Sequence, residues 1–182
     1  TPLPGVLVIE VKAFEDPRGF FYESYHRQKL AALGFTEVFV QDNHSRSAAG
    51  VLRGLHYQDL TAPMGKLVRC TRGAIFDVAV DLRAGSPTFG RWFGLELSEA
   101  NRLQLWVPVG FGHGFLALSD WADVQYKCTG FYAPAAEGCL RWDDPELAIG
   151  WPNQAPLVSA RDANGRSFSQ YRQQPAFQYS TA

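Results

Sequence analysis

The sequence predicts an all-β protein, an antiparallel sandwich or barrel that forms one domain over residues 1–182. Short runs of Val, Ile, Leu and aromatic residues alternate with clusters of Gly, Pro, Ser and Asn, which is the pattern of strands joined by turns. The chain is 46% hydrophobic and 14% aromatic. A single domain of this length therefore has enough apolar material for a packed core.

Seven of the apolar runs are predicted strands, and the turn clusters lie between them. The strands are expected at residues 6–11, 37–44, 66–71, 74–82, 91–97, 103–107 and 123–129. The turns are expected at residues 72–73, 84–87, 98–101 and 133–138. Only residues 27–33 favour a helix convincingly, with Ser24 near its start and Gly34 as its C-cap.

The predicted strand at residues 74–82 has a two-residue period. Its even-numbered residues are all apolar, whereas its odd-numbered residues include two carboxylates, Asp77 and Asp81. The half-polar face has two interpretations. Either it lines a ligand pocket inside the barrel, with Asp77 facing the site, or it is the solvated face of an antiparallel sheet.

Composition excludes several classes of partner. The 17 Lys and Arg residues nearly balance the 18 Asp and Glu residues, so no global positive field attracts nucleic acid or an anionic membrane. No apolar run approaches the roughly 18 residues of a membrane span. Cys70, Cys128 and Cys139 show no CxxC or Cys/His pairing, which argues against a disulfide framework and a zinc site and predicts reduced, cytoplasmic thiols.

Residues 51–58 place a guanidinium and an imidazole in an otherwise apolar strand. Such groups cost free energy when buried unless they have partners. On a regular strand Arg53 and His56 point to opposite faces, but Gly54 would admit a bulge that turns both toward one pocket. Taken alone, His56 is more often a hydrogen-bonded structural histidine than a catalyst.

Residues 110–115 hold His113 in a glycine-rich stretch. The stretch either exposes backbone amides to a phosphate or forms a tight turn between strands, and it lacks the spacing of a nucleotide-binding fingerprint. Lys66 offers a cation and Tyr126 a phenol. The alternative is that the alkyl chain of Lys66 lies along the surface and that Tyr126 is an aromatic residue of the core.

Residues 16–25 set Arg18 and Glu23 beside four aromatic residues that include Phe21. This composition suits stacking on a base and pairing with polar edges or phosphates. It suits packing against a partner subunit equally well, because protein interfaces are enriched in the same residue types.

Five motifs follow one another along nearly the whole chain: residues 16–25 (DPRGFFYESY), 39–58, 65–92, 105–115 (LWVPVGFGHGF) and 125–134 (QYKCTGFYAP). Together they resemble the dTDP-4-dehydrorhamnose 3,5-epimerase family. The resemblance implies a cupin-type jelly roll, an antiparallel double-sheet barrel with a few short helices, which is usually a homodimer. It also implies that a dTDP-4-keto-6-deoxyhexose is epimerised at C3 and C5 by acid-base proton transfer, with no cofactor and no metal.

The resemblance implies five catalytic residues. His56 is the expected base, positioned and made more basic by Asp162, and Tyr126 returns the proton from the opposite face of the sugar. Lys66 is expected to stabilise the enolate oxygen, because a proton beside a ketone becomes removable when the developing charge meets a fixed cation. Asp77 is expected in the floor of the pocket.

The substrate-binding residues implied by the resemblance suit an anionic diphosphate joined to a flat base, with Tyr132 stacking on thymine. They are Arg18, Phe21, Glu23, Gln41, Asp42, Asn43, Arg53, Lys66, His113, Tyr132, Glu137 and Arg161. Phe131 stands where an aromatic residue that is often Tyr is expected. Double and single-position epimerisation therefore both remain open.

Three other functions also remain open. A metal-dependent cupin oxygenase or isomerase would need closely spaced ligands such as HxH, which this sequence lacks. A non-catalytic sugar-binding jelly roll would have no use for an aligned His, Asp, Lys and Tyr. A C3 or C5 epimerase of a natural-product pathway would share every motif above.

Overall fold

Fourteen strands, three short α-helices and a 3₁₀ helix (Pro134–Ala136) make up the framework of residues 1–180, the part of the chain that the computed structural model describes. The strands are β1 (Leu7–Ile9), β2 (Ala13–Asp16), β3 (Gly19–Tyr22), β4 (Gln41–Ala48), β5 (Leu52–Gln58), β6 (Lys66–Arg72), β7 (Ala74–Asp81), β8 (Arg83–Ala84), β9 (Trp92–Ser98), β10 (Gln104–Val107), β11 (Phe111–Ala117), β12 (Trp121–Cys128), β13 (Glu137–Cys139) and β14 (Phe177–Gln178). The α-helices are α1 (Arg27–Ala32), α2 (Ala160–Ala163) and α3 (Phe168–Gln173).

Ten of these strands form two five-stranded antiparallel sheets, which confirms the predicted double-sheet architecture. The first sheet has the order β1-β10-β6-β12-β4, and the second sheet has the order β13-β5-β11-β7-β9. β2 and β3 form a separate hairpin, and β14 pairs with β8 in parallel. Among the described residues, no helix is long and apolar enough to cross a membrane.

The inner core is the hydrophobic cluster between the two sheets. Every strand side chain in it comes from a face that looks toward the opposite sheet, which is the packing expected of a jelly roll. Its residues are Leu3, Val6, Val68, Cys70, Ile75, Ala79, Leu97, Leu105, Val107, Phe111, Phe115, Ala117, Ala122 and Val124.

The outer core covers the other face of the second sheet. The second sheet and the adjoining Leu82 contribute Leu52, Leu55, Tyr57, Val78, Val80, Leu82 and Leu116, and the segment after β13 adds Leu140, Leu147, Ile149, Trp151, Phe168, Tyr171 and Phe177. The Tyr171 hydroxyl donates a hydrogen bond of 2.8 Å to the Leu82 carbonyl, which fastens this segment to the sheet. The second sheet is therefore buried on both faces.

The two faces of β7 meet different cores, as its two-residue period predicts. Ile75 and Ala79 lie in the inner core, whereas Val78 and Val80 lie in the outer core. Asp77 lies on the inner face with Ile75 and Ala79 and is 0% exposed. The interpretation of this face as solvated is wrong, because the first sheet covers it.

Several details differ from the predicted secondary structure, among them the start of β4 and the caps of α1. β4 begins at Gln41 rather than at residue 37. The start of α1 is capped by His26, whose Nδ1 accepts a hydrogen bond of 3.3 Å from the Lys29 amide, and not by Ser24. The C-cap is Leu33, and Gly34 follows it with a φ of +86°, the left-handed conformation that glycine adopts without strain.

Residues 111–117 form a buried strand and not the predicted glycine-rich turn. β11 lies between β5 and β7 and pairs with both, so its backbone amides bond within the sheet and are not free to hold a phosphate. Gly114 allows this close approach, since a Cβ there would lie 2.9 Å from the Arg53 carbonyl oxygen.

A β-bulge at Gly54 interrupts the pairing of β5 with β11. Between the pairs Arg53–Phe115 and His56–His113, two residues of β5 lie opposite only one residue of β11. Gly54 has a φ of +135°, and a Cβ on it would lie 2.5 Å from the Gly114 Cα. Only glycine fits this position without strain and steric overlap.

We expect Gly54→Ala to lower the free energy of unfolding by about 2–6 kcal/mol, since it adds backbone strain and overpacking. Gly19→Ala is the matched control. Gly19 also has a high positive φ, +128°, but a Cβ there would meet no neighbouring atom within 4 Å. Denaturant unfolding should show a smaller loss for Gly19→Ala, and equal losses would contradict the steric account.

Candidate active site

The bulge in β5 turns two predicted site residues toward the space between the sheets. Residues directly opposite each other in an antiparallel pair share a face of the sheet. Arg53 lies opposite Phe115, which is in the inner core, and His56 lies opposite His113 two residues earlier in β11. Arg53 and His56 therefore share the inner face, as the glycine between them predicted.

His56 forms a close pair with Asp162. His56 Nε2 lies 2.7 Å from Asp162 Oδ1, and the exposed fractions of the two side chains are 20% and 4%. Asp162 is held by α2, where Ser159 Oγ accepts a hydrogen bond of 3.1 Å from the Asp162 amide. The Gly54 amide donates to Asp162 Oδ2 at 3.4 Å, so one carboxylate ties the bulge to the imidazole.

A second group competes for the same ring nitrogen. Arg161 Nη2 also lies 2.7 Å from His56 Nε2, which can donate one hydrogen bond or accept one, but not both. Arg161 has a second partner in Glu137, whereas Asp162 is almost fully buried. We therefore assign the hydrogen to Nε2, facing Asp162, which leaves a lone pair on Nδ1.

Burial and charge act in opposite directions on the His56–Asp162 pair. Burial lowers the pKa of His56 below its ordinary value, and the hydrogen bond and charge of Asp162 only partly oppose this. Asp162 thus keeps the pKa of His56 higher than it would be with burial alone, but the pKa is still below its ordinary value. Burial raises the pKa of Asp162, yet His56, the Gly54 amide and Arg161 together hold it below its ordinary value.

A chain of polar contacts leads from this pair to the surface. Arg161 Nη1 lies 2.6 Å from Glu137 Oε2, and the Tyr132 hydroxyl donates to the same oxygen at 2.9 Å. The Tyr132 amide donates to Gln41 Oε1 at 3.0 Å. Through this chain the structure links four of the predicted substrate-binding residues to His56, with Arg161 in direct contact.

The first sheet supplies the opposite wall of the site. Tyr126 on β12 lies opposite Val68 and Asn43, and Lys66 on β6 lies opposite Cys128. Lys66 Nζ lies 5.8 Å from the centre of the Tyr126 ring. Burial lowers the pKa of Lys66 and raises the pKa of Tyr126, so the phenol keeps its proton at neutral pH.

His113 and Asp77 form a second buried pair beside His56. His113 Nε2 lies 2.8 Å from Asp77 Oδ1, and the side chains are 8% and 0% exposed. Asp77 Oδ2 is buried and has no hydrogen-bond partner among residues 1–180. His113 projects inward from a strand whose backbone amides are already paired. A ligand would therefore contact its side chain rather than the backbone around it.

Two more predicted residues face inward from β4 and β5. Asn43 Oδ1 accepts a hydrogen bond of 3.1 Å from Gln41 Nε2, and Arg53 Nε donates to Ser47 Oγ at 3.0 Å. Gln41, Asn43 and Ser47 alternate along β4 on the face that looks toward the second sheet.

The side chain of Asp42 does not join this group. It lies between Gln41 and Asn43, so its side chain points to the other face of the first sheet. There it forms an ion pair of 3.0 Å with Lys127 and borders an outer cavity of about 190 Å³. A one-residue step along a strand is enough to move a side chain out of the site.

Arg18, Phe21 and Glu23 also lie apart from His56 within this chain. Arg18 pairs with Asp16, and Glu23 pairs with Lys29 at 2.8 Å. Phe21, on β3 of the separate hairpin, is 70% exposed. The contacts of these residues within the described part of the chain are local.

Sequence reasoning missed one residue beside the histidine. Cys139 on β13 lies opposite His56, and its Sγ lies 3.9 Å from Asp162 Oδ1. Burial and the charge of Asp162 raise the pKa of Cys139 to about 11, so the thiol keeps its proton. The spacing of residues 56, 139 and 162 in the sequence gives no sign of this contact.

The fold and the site together define a class of protein. An imidazole on one sheet, paired with a carboxylate on α2, faces a protonated phenol and an amine on the other sheet, and such groups suit proton transfer on a ligand held between them. The protein is a jelly-roll enzyme of the acid-base type.

The comparisons with known proteins identify the family within this class. A family model described as dTDP-4-dehydrorhamnose 3,5-epimerase matches residues 1–170, and the chain belongs to this family. An enzyme of that name from Pseudomonas aeruginosa is 56% identical over 92% of this chain and 93% of its own length. A dTDP-4-dehydrorhamnose 3-epimerase from Streptomyces niveus is 43% identical over 93% of this chain and 83% of its own length.

A solved structure shows the same fold. The crystal structure of a dTDP-6-deoxy-D-glucose-3,5-epimerase from Legionella pneumophila, in complex with dTDP-4-keto-L-rhamnose, superposes with a TM-score of 0.95. It is 46% identical and covers 100% of this chain and 97% of its own. The cupin-type jelly roll predicted from the motifs is confirmed.

We expect the imidazole of His56 to titrate below the ordinary histidine pKa of about 6.5. Asp162→Asn removes two interactions that raise the pKa of His56, so the substitution should lower it further. Proton NMR of the imidazole signals across pH measures both values, and His56→Asn assigns the signal. Asp143→Asn, which removes a surface carboxylate paired with Arg141, is the control. An upward shift in Asp162→Asn would contradict the assigned pairing.

Proposed function

We propose that this protein epimerises dTDP-4-dehydro-6-deoxy-D-glucose at C3 and C5 to dTDP-4-dehydro-L-rhamnose, a step of dTDP-L-rhamnose biosynthesis. The observation that carries the proposal is the arrangement of His56, on one sheet and paired with Asp162 of α2, against Tyr126 and Lys66 on the other sheet. Inversion at a carbon requires a base on one face and an acid on the other, and this arrangement supplies both.

His56 Nδ1 is the proposed base. Asp162 holds the hydrogen on Nε2, so the lone pair on Nδ1 is free to take a proton from the carbon beside the ketone. The lowered pKa of His56 keeps the imidazole neutral, and hence able to act as a base, at neutral pH. General acid-base help of this kind contributes about 10²- to 10⁴-fold.

Lys66 and Tyr126 complete the proposed reaction. Removal of the proton places negative charge on the ketone oxygen, and a fixed ammonium group stabilises that enolate. Tyr126 then gives its phenolic proton to the other face of the same carbon. Its raised pKa supports this role, because the phenol is protonated before the step.

The proposed nucleotide site extends outward from His56. Arg161 and Arg53 suit the diphosphate, and Tyr132 suits stacking on thymine. The unpartnered Oδ2 of Asp77 supports a direct contact with the sugar, since a buried carboxylate oxygen without a partner is costly. The ligand in the Legionella complex is a dTDP-sugar, which supports the same substrate class.

A homodimer is part of this proposal. Phe14, Phe20 and Phe21 on the β2–β3 hairpin are 57%, 58% and 70% exposed. A two-stranded hairpin is marginal by itself, and exposed aromatic groups favour an interface with a second copy. In that arrangement Arg18, Phe21 and Glu23 would reach the partner's site. The cytoplasmic location stays a prediction.

The alternative is a single-position epimerase. It is favoured by Phe131, which offers no hydroxyl at a position where the family pattern often has one, and by the Streptomyces niveus relative, whose name specifies a 3-epimerase. Which carbon exchanges depends on the placement of the sugar ring between His56 and Tyr126.

Proton NMR of dTDP-4-dehydro-6-deoxyglucose in deuterated water tests the proposal. We expect the signals at both C3 and C5 to disappear as deuterium replaces the exchanged protons. Loss of one signal would favour the single-position epimerase. Loss of neither would contradict epimerisation of this substrate and favour a sugar-binding module.

Two variants should separate the proposed base from the proposed acid. We expect His56→Asn to slow exchange at both carbons by at least about 10²-fold, because the base is removed. We expect Tyr126→Phe to retain initial exchange but to lose inversion. The same NMR assay measures both rates.

The control variants are His26→Asn and Tyr25→Phe. Asparagine is a good helix N-cap, so His26→Asn keeps the cap on α1. Tyr25→Phe removes a phenolic hydroxyl but keeps the ring that packs on Phe39. Full activity of His56→Asn or normal inversion by Tyr126→Phe would contradict the assigned roles.

We expect exhaustive chelation with EDTA, in the absence of added nicotinamide, to leave the epimerase rate unchanged. Proton transfer beside a ketone needs no electron carrier, and the four side chains supply the acid, base and cation. The rate before and after chelation measures this. A stoichiometric metal requirement would favour the metal-dependent cupin instead.

A further inference from the structure

Three potential metal ligands converge beside α2. An imidazole nitrogen of His56, Cys139 Sγ and a carboxylate oxygen of Asp162 all lie within 4.8 Å of one another. The imidazole nitrogen is 2.7 Å and the thiol sulfur 3.9 Å from the carboxylate oxygen. The proposed reaction uses His56 and Asp162, but it has no role for Cys139.

The donor set matches the preference of zinc. Zn²⁺ binds thiolate, imidazole and carboxylate at about 2.0–2.3 Å in a tetrahedron, which sets neighbouring donor atoms about 3.3–3.6 Å apart. The Nε2–Oδ1 pair would open by about half an ångström as the ion replaces the hydrogen between the atoms. The Sγ–Oδ1 pair would close by a few tenths of an ångström. Side-chain torsions can make both adjustments.

Arg161 opposes a cation here. Its Nη2 lies 2.7 Å from His56 Nε2, and its Nε lies 3.6 Å from Asp162 Oδ1. The Arg161 side chain is half exposed and also paired with Glu137, so it can turn away toward solvent. Zinc must displace the Arg161 guanidinium to bind. Its binding is therefore weaker and more readily reversed than at a closed structural zinc site.

We propose that His56, Cys139 and Asp162 form a binding site for Zn²⁺, with the fourth position open to water, and that zinc occupancy inhibits the enzyme. The inhibition rests on the proposed function. On binding, the Cys139 thiol releases its proton to solvent, and the imidazole hydrogen moves from Nε2 to Nδ1. Zinc therefore removes the lone pair that the proposed base needs.

Cobalt provides a direct spectroscopic test of the site. Co²⁺ bound by a thiolate shows a charge-transfer absorption in the near ultraviolet, and competition by Zn²⁺ then gives the zinc affinity. We expect one equivalent of Co²⁺ to produce this band in the purified full-length protein. Cys139→Ser should lose the band and bind zinc at least about 100-fold more weakly, since even outer partners of a ligand contribute 10- to 100-fold.

Two further variants sharpen this test. Cys70→Ala is the matched control, because it removes a thiol buried in the inner core and should keep the band. Arg161→Gln should bind zinc more tightly, because the repelling guanidinium is gone. A band that persists in Cys139→Ser, or that disappears in Cys70→Ala, would overturn the proposal.

Inhibition is measured separately with the NMR exchange assay. Zn²⁺ should lower the exchange rate of the unmodified protein, and EDTA should restore that rate. Cys139→Ser should keep its exchange rate at the same zinc concentration. Equal zinc sensitivity of the two proteins would overturn the proposed inhibition, and so would activation by zinc. The cobalt spectrum needs no substrate, so it tests the site even if the proposed epimerase activity fails.

Discussion

The carboxylate of Asp162 holds the site together. It accepts from the Gly54 amide at the bulge and pairs with the His56 imidazole that the bulge turns inward. The bulge in turn needs a glycine, because any Cβ at that position would meet β11. Backbone geometry, base orientation and tautomer are therefore coupled through one side chain, which is the arrangement that preorganises an imidazole for proton transfer.

Burial sets the protonation states on both walls of the site. It lowers the pKa of His56 and raises the pKa of Tyr126, so each shift favours the neutral form. For His56 the neutral form is the base, and for Tyr126 it is the acid. The charge of Asp162 limits the shift of His56, which keeps the imidazole basic enough to accept a proton.

The segment after β13 has two functions in the fold. It covers the outer face of the second sheet with Trp151, Phe168 and Tyr171, and it carries Arg161 and Asp162 on the way. Packing of the outer core therefore fixes the position of α2 relative to β5. Cys139 ends the strand from which this segment starts, which is why the thiol lies against the catalytic pair.

The sequence by itself determined the all-β class, most strands, the helix at residues 27–33 and the two faces of β7, because these depend on local periodicity and turn chemistry. The glycine in β5 also predicted the bulge beside Arg53 and His56. The family resemblance supplied Asp162, Lys66 and Tyr126, which no local pattern connects to His56. Only the tertiary structure decided which faces are buried, that residues 111–117 form a paired strand, that Asp42 points away, and that Cys139 meets Asp162. These features depend on strand pairing and on packing between distant segments, which a linear pattern does not contain.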